Sequence, residues 1–338
     1  MRQRLQTLLF LALILRGGIL FAQDPIFSQF YAAPLQLNPA FAGTAQAPFI
    51  AANYRMQYPS FLSGAAYSTF AVSYDQALNR SNSSIGLSVM TDDAGQGIFK
   101  KTYASAIYSY KVTIRDDIQA KIGVEAGLIQ SNLNWDKLVF FDQLDPITGG
   151  LNPDGTPRPT SELRPTELNK TLFDLSTGFL LNAKNFYVGL SAKHLATPNE
   201  GFLGANQNLR VGLPIRWSLH GGYEITLKEG NRRHPKVFVT PSVLVVKQSD
   251  FAQVVVGAYA GFGPLFSGLW YRQTPTNPDA VILTLGFKQE AFKVGYSYDF
   301  SISPLAGKTG GSHELSLTIN LDPNPRKYDY NDCYQMFR

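Results

Sequence analysis

Two segments near the C-terminus, 291–300 and 312–321, alternate apolar and polar side chains at every second position. Phe, Val and Tyr alternate with Lys, Gly, Ser and Asp in the first, and Leu and Ile alternate with Glu, Ser, Thr and Asn in the second. Successive side chains of a β-strand point to opposite faces, so each segment has one apolar and one polar face. Each runs for about ten residues, which is enough for a tilted strand to cross a hydrocarbon layer. The pattern predicts two strands of a transmembrane β-barrel.

The same alternation recurs from residue 48 onward and predicts an all-β fold, a transmembrane antiparallel β-barrel of about 14 strands over residues 48–321. An even strand number is usual in bacterial single-chain barrels. After the N-terminal leader no apolar run reaches about eighteen residues, which disfavours a helical membrane protein. We predict strands at 48–57, 66–75, 84–91, 101–112, 118–130, 171–182, 185–194, 215–227, 236–246, 251–262, 265–273, 280–287, 291–300 and 312–321.

Connection lengths predict the orientation of this barrel, because bacterial barrels keep long loops outside the cell and short turns in the periplasm. With the first strand starting in the periplasm, the inner turns include 183–184, 263–264 and 288–290. The outer connections include the long loops 131–170, 195–214 and 301–311. Two connections depart from the rule, since 247–250 is short for an outer loop and 228–235 is long for an inner turn.

The leader, residues 1–22, has the features of a secretory signal peptide. Arg2 and Arg4 precede an apolar stretch, and small and apolar residues follow up to Ala22. The formal net charge of +5 includes these two residues and Arg16, and it falls to +2 without the leader. A charge this small does not indicate nucleic-acid binding.

Residues 23–47 form a proline-rich and aromatic segment that we predict to be irregular. Pro25, Pro34 and Pro39 lack amide donors and restrict the residues before them, so this is not a regular strand. Its large apolar side chains need a surface to pack on, and we expect the segment to plug the barrel mouth or line the lumen. They include Phe27, Phe30, Tyr31, Leu35, Leu37 and Phe41. The alternative is an exposed flexible arm, although disordered segments are poor in aromatic residues.

The chain opens and closes with sequence motifs of a known family. Residues 23–44 read QDPIFSQFYAAPLQLNPAFAGT, residues 296–299 read YSYD and residues 311–317 read GSHELSL. The sequence DDAG at 92–95 is expected to form an acidic loop after an early strand. In these motifs the chain resembles the PorP/SprF family, outer-membrane proteins of the type IX secretion system of Bacteroidetes. The candidate partner-contacting or barrel-packing residues are Asp24, Pro25, Phe27, Ser28, Gln29, Asn38, Pro39, Ala40, Gly43, Gly311, Ser312, His313 and Glu314.

The resemblance implies a role in protein secretion and gliding motility without catalysis. It implies an integral protein of the outer membrane that binds the periplasmic ring of the machine or a specific secreted adhesin. Its partners are then other type IX secretion components and the lipid bilayer, with no cofactor. The alternative function is an outer-membrane channel for passive or selective solute transport, and an outer-membrane hydrolase is the third hypothesis.

Six charged residues occupy the predicted interior face of the barrel. They either brace a filled barrel by pairing or line a water channel. Positive and negative side chains are interspersed, which favours bracing. These residues are Lys121, Glu125, Arg216, Glu224, Lys293 and Asp299.

The sequence lacks the motifs of common catalytic and nucleotide sites, and we predict no catalytic, cofactor-binding or metal-ligating residue. The four histidines, His194, His220, His234 and His313, have no nearby nucleophilic serine and carboxylate at a recognisable spacing, so we interpret them as structural or surface residues. The single cysteine, Cys333, excludes an intramolecular disulfide and any multi-cysteine metal site.

The longest connection and the C-terminal tail each leave alternatives open. The loop 131–170 includes the acidic residues Asp142, Asp145, Asp154 and Glu162. No EF-hand spacing is present, which favours a solvated or partner-binding loop over a calcium site. The tail 322–338 is predicted to lie in the periplasm, where it either docks on a neighbouring protein or frays.

Overall fold

A computed structural model describes most of the chain outside the leader. The described residues are 23–45, 47–60, 66–78, 81–144, 152, 154, 156, 158–202, 212–230, 236–289, 291–303, 307, 309–322 and 336–337. The predicted signal peptide, His234, Cys333, Asp145 and most of the tail therefore lie outside the described residues. Within the described ranges, no helix is both long and apolar enough to cross a membrane.

Fourteen strands follow one another through the described part of the chain. They are β1 (Phe49–Gln57), β2 (Tyr67–Ala77), β3 (Ser83–Ala94), β4 (Phe99–Arg115), β5 (Ile118–Leu133), β6 (Asn169–Asn182), β7 (Phe186–Lys193), β8 (Arg216–Tyr223 and Ile225–Lys228), β9 (Val237–Gln248), β10 (Phe251–Phe262), β11 (Leu265–Gln273), β12 (Pro278–Lys288), β13 (Phe292–Ser301) and β14 (Ser312–Asn320). Both segments of β8 pair with β9, and they are interrupted at Glu224.

Each strand pairs antiparallel with the next, and β14 returns to pair with β1. The closing pair runs in continuous register from Phe49 opposite Asn320 to Gln57 opposite Ser312. The closed barrel confirms the predicted fold and strand count. The prediction of an acidic loop at 92–95 is wrong in part. Asp92 and Asp93 belong to β3, where they pair in register with Lys101 and Lys100 of β4.

The outer surface of the barrel is apolar and its interior is polar, as the alternation predicts. Along β14, Leu315 and Leu317 are exposed, whereas Glu314, Ser316 and Thr318 are buried. A soluble protein has the reverse arrangement, since its apolar side chains face its own core. An apolar exterior around a polar interior is the arrangement of a membrane β-barrel.

Connection lengths distinguish the two ends of the barrel. We call the end with Phe49 and Asn320 the inner end, where the turns 116–117, 183–185 and 263–264 join strands. The outer end carries the long connections 134–168, 194–215 and 302–311. The first of these contains two short 3-10 turns, Trp135–Lys137 and Phe141–Gln143.

The lumen is filled by the N-terminal segment. We call residues 23–45 the plug; it contains the 3-10 turn Phe30–Ala32, the short helix Pro34–Leu37 and the 3-10 turn Pro39–Phe41. Prolines occupy the first positions of the last two elements, where a missing amide donor costs no helical hydrogen bond. The plug side chains belong to one apolar core together with inward-facing residues of the strands.

Candidate functional site

The barrel wall is shaped to receive the plug. Gly123 of β5 and Gly178 of β6 face it, and a side chain at either position would overlap plug atoms: the backbone of Pro39 and Ala40 for Gly123, and the side chain of Asn38 for Gly178. Because glycine has no Cβ, the plug backbone approaches the wall closely at these two points. The filled lumen is therefore a packed interface.

An outer charged cluster holds the plug at Ser28. It consists of Ser28, Arg55, Arg272, Asp299 and Glu314. Arg55 Nη2 lies 2.9 Å from Asp299 Oδ2, and Arg55 Nη1 lies 3.0 Å from Glu314 Oε2. Arg272 Nη1 lies 2.9 Å from the same Asp299 oxygen and donates to Ser28 Oγ at 3.0 Å. All five side chains are buried, so these charges stabilise the fold only while they remain paired.

Glu314 of the closing strand binds the plug backbone directly. Its two carboxylate oxygens accept the amides of Ser28 at 2.7 Å and Gln29 at 2.8 Å. The Gln29 side chain adds a hydrogen bond from Nε2 to the Glu314 main-chain carbonyl at 3.1 Å. Hydrogen bonds to an ionised acceptor are about twice as strong as neutral ones. One residue of β14 thus fixes two consecutive plug residues.

A second polar group holds the start of the plug at Asp24. Asp24 Oδ2 lies 2.6 Å from His194 Nε2 and 3.4 Å from Arg216 Nη1, and it accepts from Gln248 Nε2 at 3.1 Å. The other ring nitrogen of His194 lies 2.8 Å from Asp174 Oδ2. An imidazole between two carboxylates donates to both only when both nitrogens carry protons.

The pKa values of Asp24 and His194 shift toward their charged forms. Burial opposes the charge on Asp24, but His194, Arg216 and Lys101 outweigh it and lower the pKa of this carboxyl group. Burial likewise opposes the charge on His194, but Asp24 and Asp174 outweigh it and raise the pKa of the imidazole. The two residues therefore form a buried ion pair.

Asn38 fixes the middle of the plug. Its Nδ2 donates to the main-chain carbonyls of Phe179 at 3.0 Å and Leu190 at 3.2 Å, while its Oδ1 accepts from the amide of Ala40 at 2.9 Å. The side chain is fully buried. Asn38 therefore joins the plug to the backbones of β6 and β7.

The inner end of the plug is held by strand side chains. Ser109 Oγ donates to the Ala42 carbonyl at 2.9 Å, Lys121 Nζ donates to the same oxygen, and the Gly43 amide donates to Asp75 Oδ1 at 2.6 Å. Gly43 has a φ of 71°, a backbone conformation that glycine adopts without strain.

An inner aromatic cluster surrounds these inner contacts. We define it as Tyr31 and Phe41 of the plug with Tyr187, Tyr259 and Phe266 of the strands. The rings of Tyr31 and Tyr259 are 5.5 Å apart, and those of Tyr259 and Phe266 are 5.2 Å apart. Phe41 stacks on the His220 ring at 5.3 Å. Such ring pairs contribute about 0.5–1.5 kcal/mol each beyond area burial.

Above the plug, a cavity of about 570 Å³ lies at the outer end of the barrel. We call it the outer vestibule. Its floor is formed by the plug residues Gln23–Ile26, and its walls include Tyr58, Tyr67, Phe99 and Phe251. The vestibule is large enough for a small ligand or a few residues of a peptide.

The six predicted lumen residues all lie inside the barrel, and each has a polar partner. Lys121 binds the plug, Arg216 contacts Asp24, and Asp299 pairs with Arg55. Glu125 lies 3.0 Å from Lys193, and Glu224 lies 2.8 Å from Lys236. Lys293 donates to the carbonyl of Met336 at 2.6 Å. The six side chains thus bind other barrel side chains, the plug or Met336, as expected for residues that brace a filled barrel.

The predicted motif residues separate into two groups. The polar anchors Asp24, Ser28, Gln29, Asn38 and Glu314 contact one another or the wall, and Pro25, Phe27, Pro39, Ala40 and Gly43 shape the plug between them. At the closing strand, Gly311 and Ser312 are buried, whereas His313 faces outward, with Nδ1 2.7 Å from Tyr296 Oη. The structure therefore brings Glu314, and not its neighbour His313, to the plug.

Arg55, Asp174 and Arg272 contribute to these sites but were not among the sequence candidates. Their signal is present in the alternation, because each is a polar side chain on the interior face of a predicted strand. Gln248 was also missed, and it lies two residues beyond the predicted end of the strand 236–246. What the alternation does not give is the partner across the lumen.

No group of three or more metal-ligating side chains occurs in the described part of the chain. In the long outer connection, Asp142 accepts hydrogen bonds from Thr160 Oγ1 at 2.9 Å and from the Ser161 amide at 2.6 Å. The Ser161 amide is the main cause of a lowered pKa of Asp142. Asp142 thus joins two parts of the loop.

A closed barrel with an apolar outer face and a packed polar lumen defines an integral outer-membrane β-barrel protein. The family of the type IX secretion system membrane protein PorP/SprF matches residues 19–319, and the chain belongs to this family. Its location is the outer membrane.

Solved structures of other barrels are similar to this chain at low sequence identity. The toluene transporter TbuX from Ralstonia pickettii is 9% identical with a TM-score of 0.45, and 85% of this chain and 92% of that chain are covered. A Pseudomonas aeruginosa FadL homologue is 14% identical with a TM-score of 0.40 and coverages of 90% and 96%. BamA from Haemophilus ducreyi is 10% identical with a TM-score of 0.38 and coverages of 81% and 70%. Among curated proteins, none matches the sequence.

Proposed function

We propose that this protein is a non-enzymatic component of the type IX secretion and gliding system that works by binding other proteins. Its partner is either the periplasmic ring of the machine or a specific secreted adhesin. The observation that carries the proposal is the filled lumen, in which the plug is fixed by buried charges from several strands. A barrel packed in this way is suited to present surfaces and not to conduct solute.

The two ends of the barrel offer different surfaces for such binding. The outer end combines the vestibule with the connection 134–168, in which Val139, Phe141 and Leu163 are exposed. Exposed apolar side chains in a loop at the outer end are candidates for contact with an exported protein. The inner end has short turns, and in the predicted orientation it faces the periplasm, where it is accessible to a periplasmic partner.

Affinity purification of the tagged protein from its own cells tests the proposal. We expect other secretion components or one surface adhesin to co-elute. Deletion of residues 24–43 is expected to leave export to the outer membrane intact and to abolish secretion of the partner. Unchanged secretion, with the shortened barrel still in the outer-membrane fraction, would remove the plug from the proposed mechanism.

A solute channel is the second candidate, and the outer vestibule is the observation that favours it. Conductance in a planar lipid bilayer separates the two functions. We expect no ion current from the intact protein, because the plug is bonded from the vestibule to the inner end. A steady current from the intact protein would favour the channel.

A further inference from the structure

Two of the last residues of the chain return into the barrel. Met336 and Phe337 lie at the inner end and are buried, at 0% and 2% exposure. The Phe337 ring lies 4.5 Å from the ring of Phe41 in the plug and packs edge-on against Tyr187 of β7 at 5.1 Å. The plug and the barrel wall together therefore form a pocket for an aromatic side chain that follows β14 by more than a dozen residues.

Lys293 receives the backbone of this dipeptide. Its ammonium group donates to the Met336 carbonyl at 2.6 Å. The ammonium also lies 4.8 Å from the ring centres of Tyr259 and Phe266 and 5.2 Å from that of Tyr31. Aromatic faces attract a cation at such distances.

Among the described carboxylates, none forms an ion pair with Lys293, although the side chain is buried. A buried polar donor is costly unless a hydrogen-bond acceptor satisfies it. The main-chain carbonyl of Met336 is that acceptor. Lys293 thus binds the backbone of the dipeptide, and Phe41 and Tyr187 receive its aromatic side chain.

The described contacts of the dipeptide differ in kind from those of the plug. The plug has charge-assisted contacts at Asp24, at Ser28 and at Gln29. The hydrogen bond from Lys293 and the ring contacts of Phe337 hold the dipeptide.

We propose that the inner end of the barrel is a peptide-binding pocket whose resident ligand is the chain's own C-terminal Met336–Phe337. Release of the tail exposes the pocket to a segment of a periplasmic protein that carries an aromatic side chain next to a free main-chain carbonyl. This inference goes beyond the proposed function and does not depend on which secretion partner binds.

A chain that ends at residue 335 tests the proposal, with a fluorescent peptide of residues 331–338 in which Cys333 is replaced by Ser. We expect the peptide to bind the shortened barrel in detergent, and to bind the full-length protein at least about tenfold more weakly, because the tethered tail competes. Replacing Phe337 by Ala in the peptide, or Lys293 by Met in the shortened barrel, is expected to weaken binding by at least about tenfold.

Two controls keep the test specific. A peptide of the same composition in scrambled order reports non-specific binding, and Lys247→Met removes an exposed lysine at the outer end of β9 without touching the pocket. Circular dichroism establishes that each variant retains its strands. Full-length Phe337→Ala provides a second measurement, since it is expected to gain peptide binding without truncation. A folded shortened barrel that fails to bind the peptide, or one that binds the scrambled peptide equally, would overturn the proposal.

Discussion

The outer and inner halves of the lumen hold the same plug by different physical means. In the outer half, the outer charged cluster and Asp24 use directional ion pairs between residues that are far apart in the sequence. In the inner half, the inner aromatic cluster uses ring packing, with polar side chains that bind plug main-chain groups. Charged pairs tolerate little displacement, whereas apolar packing is non-directional. We infer that the outer half fixes the position of the plug and the inner half supplies most of its apolar burial.

The largest effect is expected from Arg55→Ala in the outer charged cluster. The substitution leaves Asp299 and Glu314 buried with one partner fewer, which costs about 3–5 kcal/mol in a typical buried pair. Thermal unfolding and limited proteolysis of the plug measure the loss. The matched control is Arg164→Ala, which breaks an ion pair to Asp136 whose side chains are 53% and 74% exposed and should leave both measurements unchanged. Equal stability of Arg55→Ala and wild type would contradict the anchoring role of the cluster.

A smaller effect is expected from Gly123→Ala on the wall of the inner half. The added methyl group overlaps the backbone of Pro39 and Ala40, and overpacking of this kind costs about 1–3 kcal/mol. Unfolding temperature is the measurement. Gly201→Ala is the control, because its added carbon would meet Asn199 Oδ1 at 3.3 Å, which a small side-chain adjustment relieves. If both variants unfold at the same temperature, the close approach of plug and wall is not maintained in the protein.

The third prediction concerns pH and separates the two halves. The pKa of His194 is raised, so its contribution to stability is fully present below its ordinary value of 6.5 and is lost as pH rises through the folded-state pKa. The pKa of Asp24 is lowered, so its contribution is present above its ordinary value of 3.8 and is lost as pH falls through the folded-state pKa.

Hydrogen exchange of the plug amides measures this dependence. We expect protection of residues 24–29 to be greatest between these limits and to decline on the alkaline side. Lys101, Arg216, Asp174 and Tyr103 also face Asp24 or His194, so the variant His194→Gln is needed to assign the change. In His194→Gln the alkaline decline should disappear; its persistence would assign the decline to another group.

The smallest effect is expected from Asp142→Ala, which lies in neither half of the lumen. Loss of the hydrogen bonds from Thr160 and Ser161 should loosen the connection 134–168 and leave the unfolding temperature of the barrel unchanged. Proteolysis within the loop measures the first effect. A lower unfolding temperature would show that the loop supports the barrel.

The sequence predicts the barrel better than it predicts the contacts inside it. A period of two assigns each side chain to lipid or lumen, so the strand count and the interior position of Lys121, Arg216 and Asp299 follow directly. The register shift between β8 and β9 at Val237 and Phe238 does not follow, because a bulge adds one residue without a clear change in composition.

The sequence does not predict which side chains pair with one another across the lumen. Asp24 and His194 are 170 positions apart, and their contact depends on the path of the plug through a closed barrel. Arg55 shows only an interior position in the alternation, and its two carboxylate partners lie on strands that reach it after closure. The two-residue period and the motifs predict on which face of a strand these residues lie. Which residues contact one another is determined only when the barrel closes.

The pairing of β1 with β14 has a consequence for biogenesis. Arg55 and Glu314 are opposite one another in this register, and Glu314 also binds the amides of Ser28 and Gln29. The binding site for the start of the plug is therefore complete only when the final hairpin has paired. Without this hairpin, the amides of Ser28 and Gln29 lack the carboxylate that accepts them in the closed barrel.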